Sequence, residues 1–206
     1  MRVLVPFDAD SPKSRLAPVF DATERRDFAG AMLRDVLEAV AGAGHDPEVL
    51  ATDAVDVAVP VTIDDRPLTA AVNAALEEST GDVAVLVADL PLATPAAVSR
   101  LIDSEAPVVL APGLGGGTNG LVVRTPAFRV DFHGASIRDH RERARAAGIE
   151  PATVDSFRLA VDVDEPDDLA EVLLHGSGHA AEWLADAGVS LDVSEGRVGT
   201  SRDTTE

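Results

Sequence analysis

Three aspartates stand where a strand would pass its chain to a loop. Asp89 closes the run Val83-Ala84-Val85-Leu86-Val87-Ala88, and Asp162 and Asp164 lie in Leu159-Ala160-Val161-Asp162-Val163-Asp164. Carboxylate oxygens with positions left open for water and phosphate suit Mg²⁺, which prefers one or two carboxylates plus substrate oxygens to an all-protein cage. A lone aspartate after a strand more often caps the next helix, here the one opening near Thr94, and Asp89 by itself would be read that way. Capping also accounts for Asp164, Asp167 and Asp168, since acidic groups favour a first helical turn. It does not account for Asp162, two residues earlier on an otherwise apolar segment.

Two further stretches suit an anionic ligand. Lys13 and Arg15 sit in the polar loop after the first strand, and Lys13 is the only lysine in the chain. Read blandly they are solubility charges; read functionally they contact phosphate. The run Pro112-Gly113-Leu114-Gly115-Gly116-Gly117-Thr118-Asn119-Gly120 is either a flexible hairpin or a nest of backbone N–H groups around an anion, with Thr118 and Ser136 adding hydroxyl donors. His133 and His140 flank Ser136 and read equally well as substrate contacts or structural histidines. His175 and His179 are separated by Gly176-Ser177-Gly178 and read as surface residues. No zinc spacing, Gly-x-Ser-x-Gly or Walker-type sequence is present.

The elements that must position these groups alternate between strand and helix. Valine-rich runs at Arg2–Pro6, up to Asp89 and at Pro107–Ala111 predict strands buried on both faces, as in a mostly parallel sheet. Shorter strands are predicted at Glu48–Ala51, Val61–Ile63, Leu121–Arg124 and Thr153–Asp155, and the alternation from Leu159 to Asp164 predicts one more. Asp21 with Glu24 has the form of a capping box. It opens a helix whose Phe28, Met32, Leu33, Val36, Leu37 and Val40 recur at helical spacing until Gly42 and Gly44. Further helices are predicted from Asp64-Asp65-Arg66-Pro67 to about Glu78, from Thr94-Pro95 to about Asp103, and from Ser136 to near Gly148. Two more run from Glu165 to Leu174 and from His179 to Ala187. In open α/β sheets ligands gather at the carboxyl ends of the strands, where Asp89 falls.

The chain has 206 residues, enough for one α/β domain. We read a single domain over 1–193 and an acidic, disordered tail over 194–206. The formal charge is −19 and the cationic side is nearly all arginine, a composition suited to cytoplasm holding molar salt. It argues against nucleic-acid binding, which needs basic surface to displace counterions. There is no cysteine, so disulfides and thiolate metal sites are excluded. No apolar run reaches membrane-spanning length and the first residues enter a strand directly, which predicts a cytoplasmic protein without membrane contact.

In this order and spacing, several motifs together resemble the archaeal 2-phospho-L-lactate guanylyltransferase (CofC) family, relatives of the molybdenum-cofactor guanylyltransferases and sugar-nucleotide pyrophosphorylases. They are Pro12-Lys13-Ser14-Arg15-Leu16, Ala31-Met32-Leu33-Arg34-Asp35-Val36-Leu37, Val72-Asn73-Ala74-Ala75-Leu76, Ala88-Asp89-Leu90-Pro91, Gly116-Gly117-Thr118-Asn119-Gly120-Leu121, Phe132-His133-Gly134-Ala135-Ser136 and Asp162-Val163-Asp164-Glu165-Pro166-Asp167-Asp168-Leu169. The resemblance runs from Met1 to about Leu174. It implies a single-domain Rossmann-like nucleotidyltransferase (GT-A-like) fold, with helices on both faces of a mostly parallel sheet. It implies transfer of guanylyl from GTP to 2-phospho-L-lactate, giving lactyl-2-diphospho-5′-guanosine and pyrophosphate on the route to coenzyme F-420.

By the same resemblance Asp89, Asp162 and Asp164 are the catalytic residues and hold Mg²⁺ or Mn²⁺. Pro6, Lys13, Arg15 and Asn73 bind the nucleotide, with Asn73 near the guanine. Thr118, Asn119, Gly134 and Ser136 bind the phosphorylated three-carbon acid. A homodimer is compatible with the family. Two departures stand out: relatives carry a lysine after the proline of the first strand where this chain has Phe7-Asp8, and Phe-Gly-x-x-Ser where it has Phe132-His133-Gly134-Ala135-Ser136. Transfer to phosphoenolpyruvate or to another acceptor such as molybdopterin is the alternative chemistry. A non-catalytic nucleotide-binding module is the alternative class.

Overall fold

The computed structural model describes residues 1–193, 196 and 198–202. Its central sheet has seven strands: β1 (Arg2–Phe7), β2 (Asp46–Ala51), β3 (Val61–Ile63), β4 (Val83–Leu86), β5 (Val108–Pro112), β6 (Thr118–Val123) and β7 (Ala152–Thr153). They lie in the order β3-β2-β1-β4-β6-β5-β7. Every neighbouring pair is parallel except those made by β6, which runs antiparallel to both β4 and β5. From β1 the chain turns to β2 and β3 on one side and then returns to place β4 on the other. The order therefore reverses between β1 and β4, leaving a crevice at their carboxyl ends.

Helices cover both faces, as the continuous apolar strands require. Val3, Val5, Ala84 and Leu86 meet α1 (Ala22–Gly42) and α3 (Pro95–Ile102) on one side. Leu4, Val83 and Val85 meet α2 (Leu68–Glu78) and α4 (Ser136–Ala146) on the other. The capping box at α1 is formed: Asp21 accepts from the N–H groups of Thr23 and Glu24, and Glu24 accepts from that of Asp21. Thr94 caps α3 with Pro95 in its first turn. Gly120 lets α3 approach β6 closely, because a Cβ there would stand 2.9 Å from Leu101 Cδ2.

A third core gathers residues far apart in sequence. Leu16, Phe20, Phe28, Met32 and Val163 pack with Leu169, Val172, Ala180, Leu184 and Val189. These last five come from the chain after the sheet: α6 (Leu169–His175), α7 (His179–Asp186) and β8 (Val189–Asp192). No helix of the described residues is long and apolar enough to cross a membrane.

Three expectations are corrected. Leu159–Asp164 is not a strand: α5 (Phe157–Ala160) takes its first two residues, and residues 161–164 have no ladder partner. The alternation reported burial correctly, with Val161 and Val163 inside and Asp162 and Asp164 part exposed. Thr118, Asn119 and Gly120 belong to β6, since the glycine hairpin closes over residues 113–117 with Gly113 N–H bonding Gly117 C=O at 3.0 Å. The tail is not structureless in its described part, where β9 (Gly199–Arg202) pairs antiparallel with β8. Residues 194, 195, 197 and 203–206 lie outside the described residues.

Candidate active site

The carboxyl ends of β1, β2, β3 and β4 open into one cavity of about 650 Å³. Pro6 and Phe7 of β1, the loop from Ser11 to Arg15, and Val87, Ala88, Asp89 and Asp164 line one part of it. Leu50, Thr52, the segment Asp64-Asp65-Arg66-Pro67 and Leu68 line the other. The sheet's point of reversal thus brings the loop after β1 to face the residues after β4, 76 positions on. Pro6, Lys13, Arg15, Asp89 and Asp164, named from the sequence as site residues, all border this space.

Lys13 is the hub. Its Nζ donates to Asp89 Oδ2 at 2.5 Å and to Asp164 Oδ1 at 2.9 Å, while Arg15 Nη1 reaches Asp164 Oδ2 at 3.4 Å. Burial works against the ammonium, but the charges of Asp89 and Asp164 and the hydrogen bonds to both overcome it, leaving Lys13 above the ordinary lysine range. Its backbone is left-handed, φ 54°, the one non-glycine residue with positive φ among those described. For a side chain with a Cβ that conformation costs about 1–2 kcal/mol. Asp164 is fixed from behind, since Asp168 Oδ2 accepts from the N–H groups of Asp164 and Glu165 at 2.8 and 2.7 Å.

Asp162 lies beside this group and is held differently. Asn119 Nδ2 donates to Asp162 Oδ1 and to the carbonyls of Leu159 and Ala160, at 3.0, 3.0 and 3.3 Å. Burial pushes the Asp162 carboxyl up, and Asp89 and Asp164 add to that push against the Asn119 hydrogen bond. Val163 N–H bonds Asp89 C=O at 3.1 Å, so the segment that carries two of the aspartates is tied to the third. Leu114 N–H, at the tip of the glycine hairpin, bonds Ala160 C=O at 2.9 Å.

Thr118 and Ser136 come together, but inside the protein. Ser136 Oγ donates to Thr118 Oγ1 at 3.2 Å, and Thr118 Oγ1 pairs with His140 Nδ1 at 2.8 Å. His140 Nε2 accepts from Asp131 N–H at 2.8 Å, which puts the ring proton on Nδ1. Burial, then the charge of Arg143, lower the His140 pKa to about 4, so the ring is neutral at neutral pH. This places His140 among the structural histidines. Gly134 is exposed with φ 50° in the loop that leads into α4. Asn73 does not border the cavity: its amide binds the backbone of Val130 from both ends, at 2.9 and 3.0 Å. Asn73 thus ties α2 to the segment at Val130.

Comparison with known proteins identifies the family. The family model described as "Guanylyl transferase CofC like" matches residues 1–204. The chain belongs to that family. A 2-phospho-L-lactate guanylyltransferase from Haloferax volcanii is 63% identical over 204 residues, covering 98% of this chain and 99% of that one. Its counterpart from Halomicrobium mukohataei is 61% identical over 202 residues, covering 98% and 100%. Among solved structures, one from Desulfovibrio desulfuricans superposes with a TM-score of 0.74 at 15% identity, covering 90% of this chain and 94% of its own. A nucleotidyl transferase from Methanothermobacter gives 0.56 at 14%, covering 90% and 97%. These structures share the fold: α/β, with a mostly parallel sheet between helices, as expected for the family.

The divalent ion implied by the family resemblance is tested by the donors themselves. Among the described residues no three His, Asp or Glu side chains are gathered as a ready metal cage. Lys13 already holds Asp89 and Asp164, and Asn119 holds Asp162. One observation still favours a cation: Asp89 Oδ1 is buried and has no hydrogen-bond partner. An all-oxygen set with one oxygen unsatisfied fits a hard ion that brings its remaining ligands with the substrate. The sequence reading missed the far end of the cavity, treating Asp64-Asp65-Arg66-Pro67 only as a helix opening. The rule that singled out Asp89 applies there too, since Asp64 directly follows parallel β3.

Proposed function

We propose that this protein is a 2-phospho-L-lactate guanylyltransferase, joining GTP and 2-phospho-L-lactate to give lactyl-2-diphospho-5′-guanosine and pyrophosphate in coenzyme F-420 biosynthesis. The observation that carries the reading is the Lys13 ammonium between Asp89 and Asp164, at the mouth of the crevice where an α/β sheet takes its nucleotide. The name of relatives matched over nearly their whole length supports the acceptor.

A phosphate oxygen of the acid attacks the α-phosphorus of GTP. The bond from that phosphorus to the bridging oxygen breaks, and pyrophosphate leaves with the electron pair. The attacking phosphate is already anionic, so no strong general base is required. What the protein must supply is in-line alignment and neutralisation of two anions that repel each other. Lys13 and Arg15 do this from the loop after β1. As the triphosphate arrives they exchange the carboxylates for phosphate oxygens; Asp89 and Asp164, with Asp162 beside them, are the residues that would hold Mg²⁺ or Mn²⁺. A bound ion would supply charge neutralisation at the α-phosphate of the transferred guanylyl group.

The base occupies the end lined by Leu50, Thr52, Asp65 and Leu68. Thr52 Oγ1 already accepts from Ala9 N–H at 3.0 Å, which leaves its hydroxyl proton for an acceptor on the base edge. The glycine hairpin and the loop around Gly134 border the acid. Thr118 and Ser136 act there by holding α4 against the hairpin.

The test is pyrophosphate release in molar KCl with Mg²⁺ and GTP, comparing 2-phospho-L-lactate, phosphoenolpyruvate and no acceptor. Release with 2-phospho-L-lactate alone is expected. Release with phosphoenolpyruvate alone would replace the acceptor, and silence from folded protein with every acceptor would end the guanylyl reading.

A further inference from the structure

The C-terminal hairpin sits against the nucleotide loop from behind. Arg202, on β9, is its only described cation, and all three of its nitrogens are bonded. Nε donates to Ala187 C=O at 3.1 Å. Nη1 donates to Val19 C=O at 2.8 Å and to Glu24 Oε2 at 3.0 Å, and Nη2 donates to Glu24 Oε1. The guanidinium also lies over the Phe20 ring, 5.3 Å from its centroid. That ring packs edge-on against Trp183 of α7 and, tilted, against Phe28 of α1.

From Val19 the bonding continues towards the site. Val19 N–H donates to Leu16 C=O at 3.0 Å, and Leu16 N–H donates to Lys13 C=O at 2.9 Å. Three hydrogen bonds therefore join the Arg202 side chain to the backbone of the lysine that bridges Asp89 and Asp164. The opposite wall is reached as well: β9 packs on the turn Pro166–Asp168, whose Asp168 fixes Asp164. Val163, between the two site aspartates, is buried in the same core as Leu16 and Phe20. The Glu24 pair by itself would only pin β9 to the start of α1. Engagement of Val19 C=O, in the loop itself, is what ties the hairpin to the position of Lys13.

We propose that Arg202 is a positioning residue for the nucleotide triphosphate: the β8–β9 hairpin clamps the loop after β1 so that Lys13 keeps its left-handed backbone and its ammonium faces the phosphates. The proposal rests on the guanylyl reading for the identity of the nucleotide. It assigns a role in the site to a segment whose polar, aperiodic sequence carries no sign of one. Arg202 touches no reacting atom and acts through Val19, Leu16 and Lys13.

The experiment measures GTP binding by calorimetry in molar KCl with Mg²⁺, beside steady-state kinetics and melting temperature, for the full chain and its R202Q variant. The expected result is a GTP Kd raised about tenfold, with KM for the acid changed less than about twofold, because displacement of a positioning loop by an ångström is felt that strongly. In a K13Q background R202Q should add little further loss, since the residue through which it acts is gone. R202K, which keeps the charge near Glu24 but not the three-way bridge, should melt near wild type and bind GTP with intermediate affinity; it carries the test if R202Q does not fold. Unchanged GTP affinity in folded R202Q or R202K overturns the clamp. So does full additivity with K13Q, or an equal loss for GTP and acid together with a lowered melting temperature. If wild type binds no GTP, the guanylyl reading falls and takes the clamp with it; if wild type binds and the variants bind equally, only the clamp falls.

Discussion

Two polar clusters lie within one domain and are built on opposite principles. Around Lys13 the groups are charged, part exposed and matched ion to ion: one ammonium for Asp89 and Asp164, with Arg15 at longer range. Around His140 they are neutral and buried: two hydroxyls, an imidazole and a backbone N–H, each donating or accepting along a fixed chain. Charged partners in a solvated crevice can be traded for other charged partners at little net expense, because each state stays neutralised. A buried neutral network has no such freedom, since losing one member strands the next. The first cluster is suited to receive a polyanion. The second is suited to keep the glycine hairpin, α4 and the loop at Asp131 in one arrangement.

That contrast can be broken most sharply at Asp89. Asp89→Asn keeps the shape and removes the charge, so guanylyl transfer should fall roughly 10²–10³-fold while the melting temperature moves little. A parallel drop in stability and turnover would show that Asp89 is structural like His140. Lys13→Gln comes next. KM for GTP should rise by about one to two orders of magnitude, losing a charge-assisted contact to phosphate. Mn²⁺ titrated without nucleotide and followed by electron paramagnetic resonance should bind more tightly to the variant than to wild type, because the resident ammonium is gone. Equal Mn²⁺ affinity would mean that Lys13 and the ion do not compete.

The smallest effect concerns stability alone. His140 is near 4 in the folded chain against an ordinary 6.5, so between those values the unfolded chain binds more protons and stability rises with pH. The contribution is complete above pH 6.5 and is lost as pH falls towards 4, by up to about 3 kcal/mol. His140→Phe lacks the titrating ring. Urea unfolding in molar KCl should show wild type's advantage over it shrinking from pH 7.5 to 4.5, and a constant difference would remove His140 from the buried network.

Much of this was legible in local sequence. In β4 the valines Val83 and Val85 face one helix-covered core and Ala84 and Leu86 the other, so the run could be read as a doubly buried strand and Asp89 as its exit. Lys13 stood out because the composition had excluded every other lysine. The segment from Leu159 to Asp164 misled because period two reports which side chains are inside, not whether a neighbouring strand exists; here Asn119 and Asp89 supply the hydrogen bonds instead. Thr118, Ser136 and His140 are 18 to 22 residues apart in their contacts, and hydroxyls read as ligand donors prove to be engaged with one another. Asn73 was drawn towards the nucleotide by its motif, yet its amide closes on Val130, 57 residues away. Nor could four polar residues ending in Arg202 announce a strand, because what holds that strand is a guanidinium reaching carbonyls and a carboxylate up to 183 positions distant.

The solitary lysine also makes the protein its own reporter. Among the side chains of these 206 residues an amine-selective acylating reagent meets one amine, the Lys13 ammonium, which is 11% exposed and bonded to two carboxylates. Acylation requires the free base, so the Lys13 adduct forms only as fast as the ammonium leaves both partners and gives up its proton. The label on Lys13, followed over time by peptide mass, becomes a clock for the opening of that one lysine's ion pairs, with no introduced probe and no second lysine to confuse it.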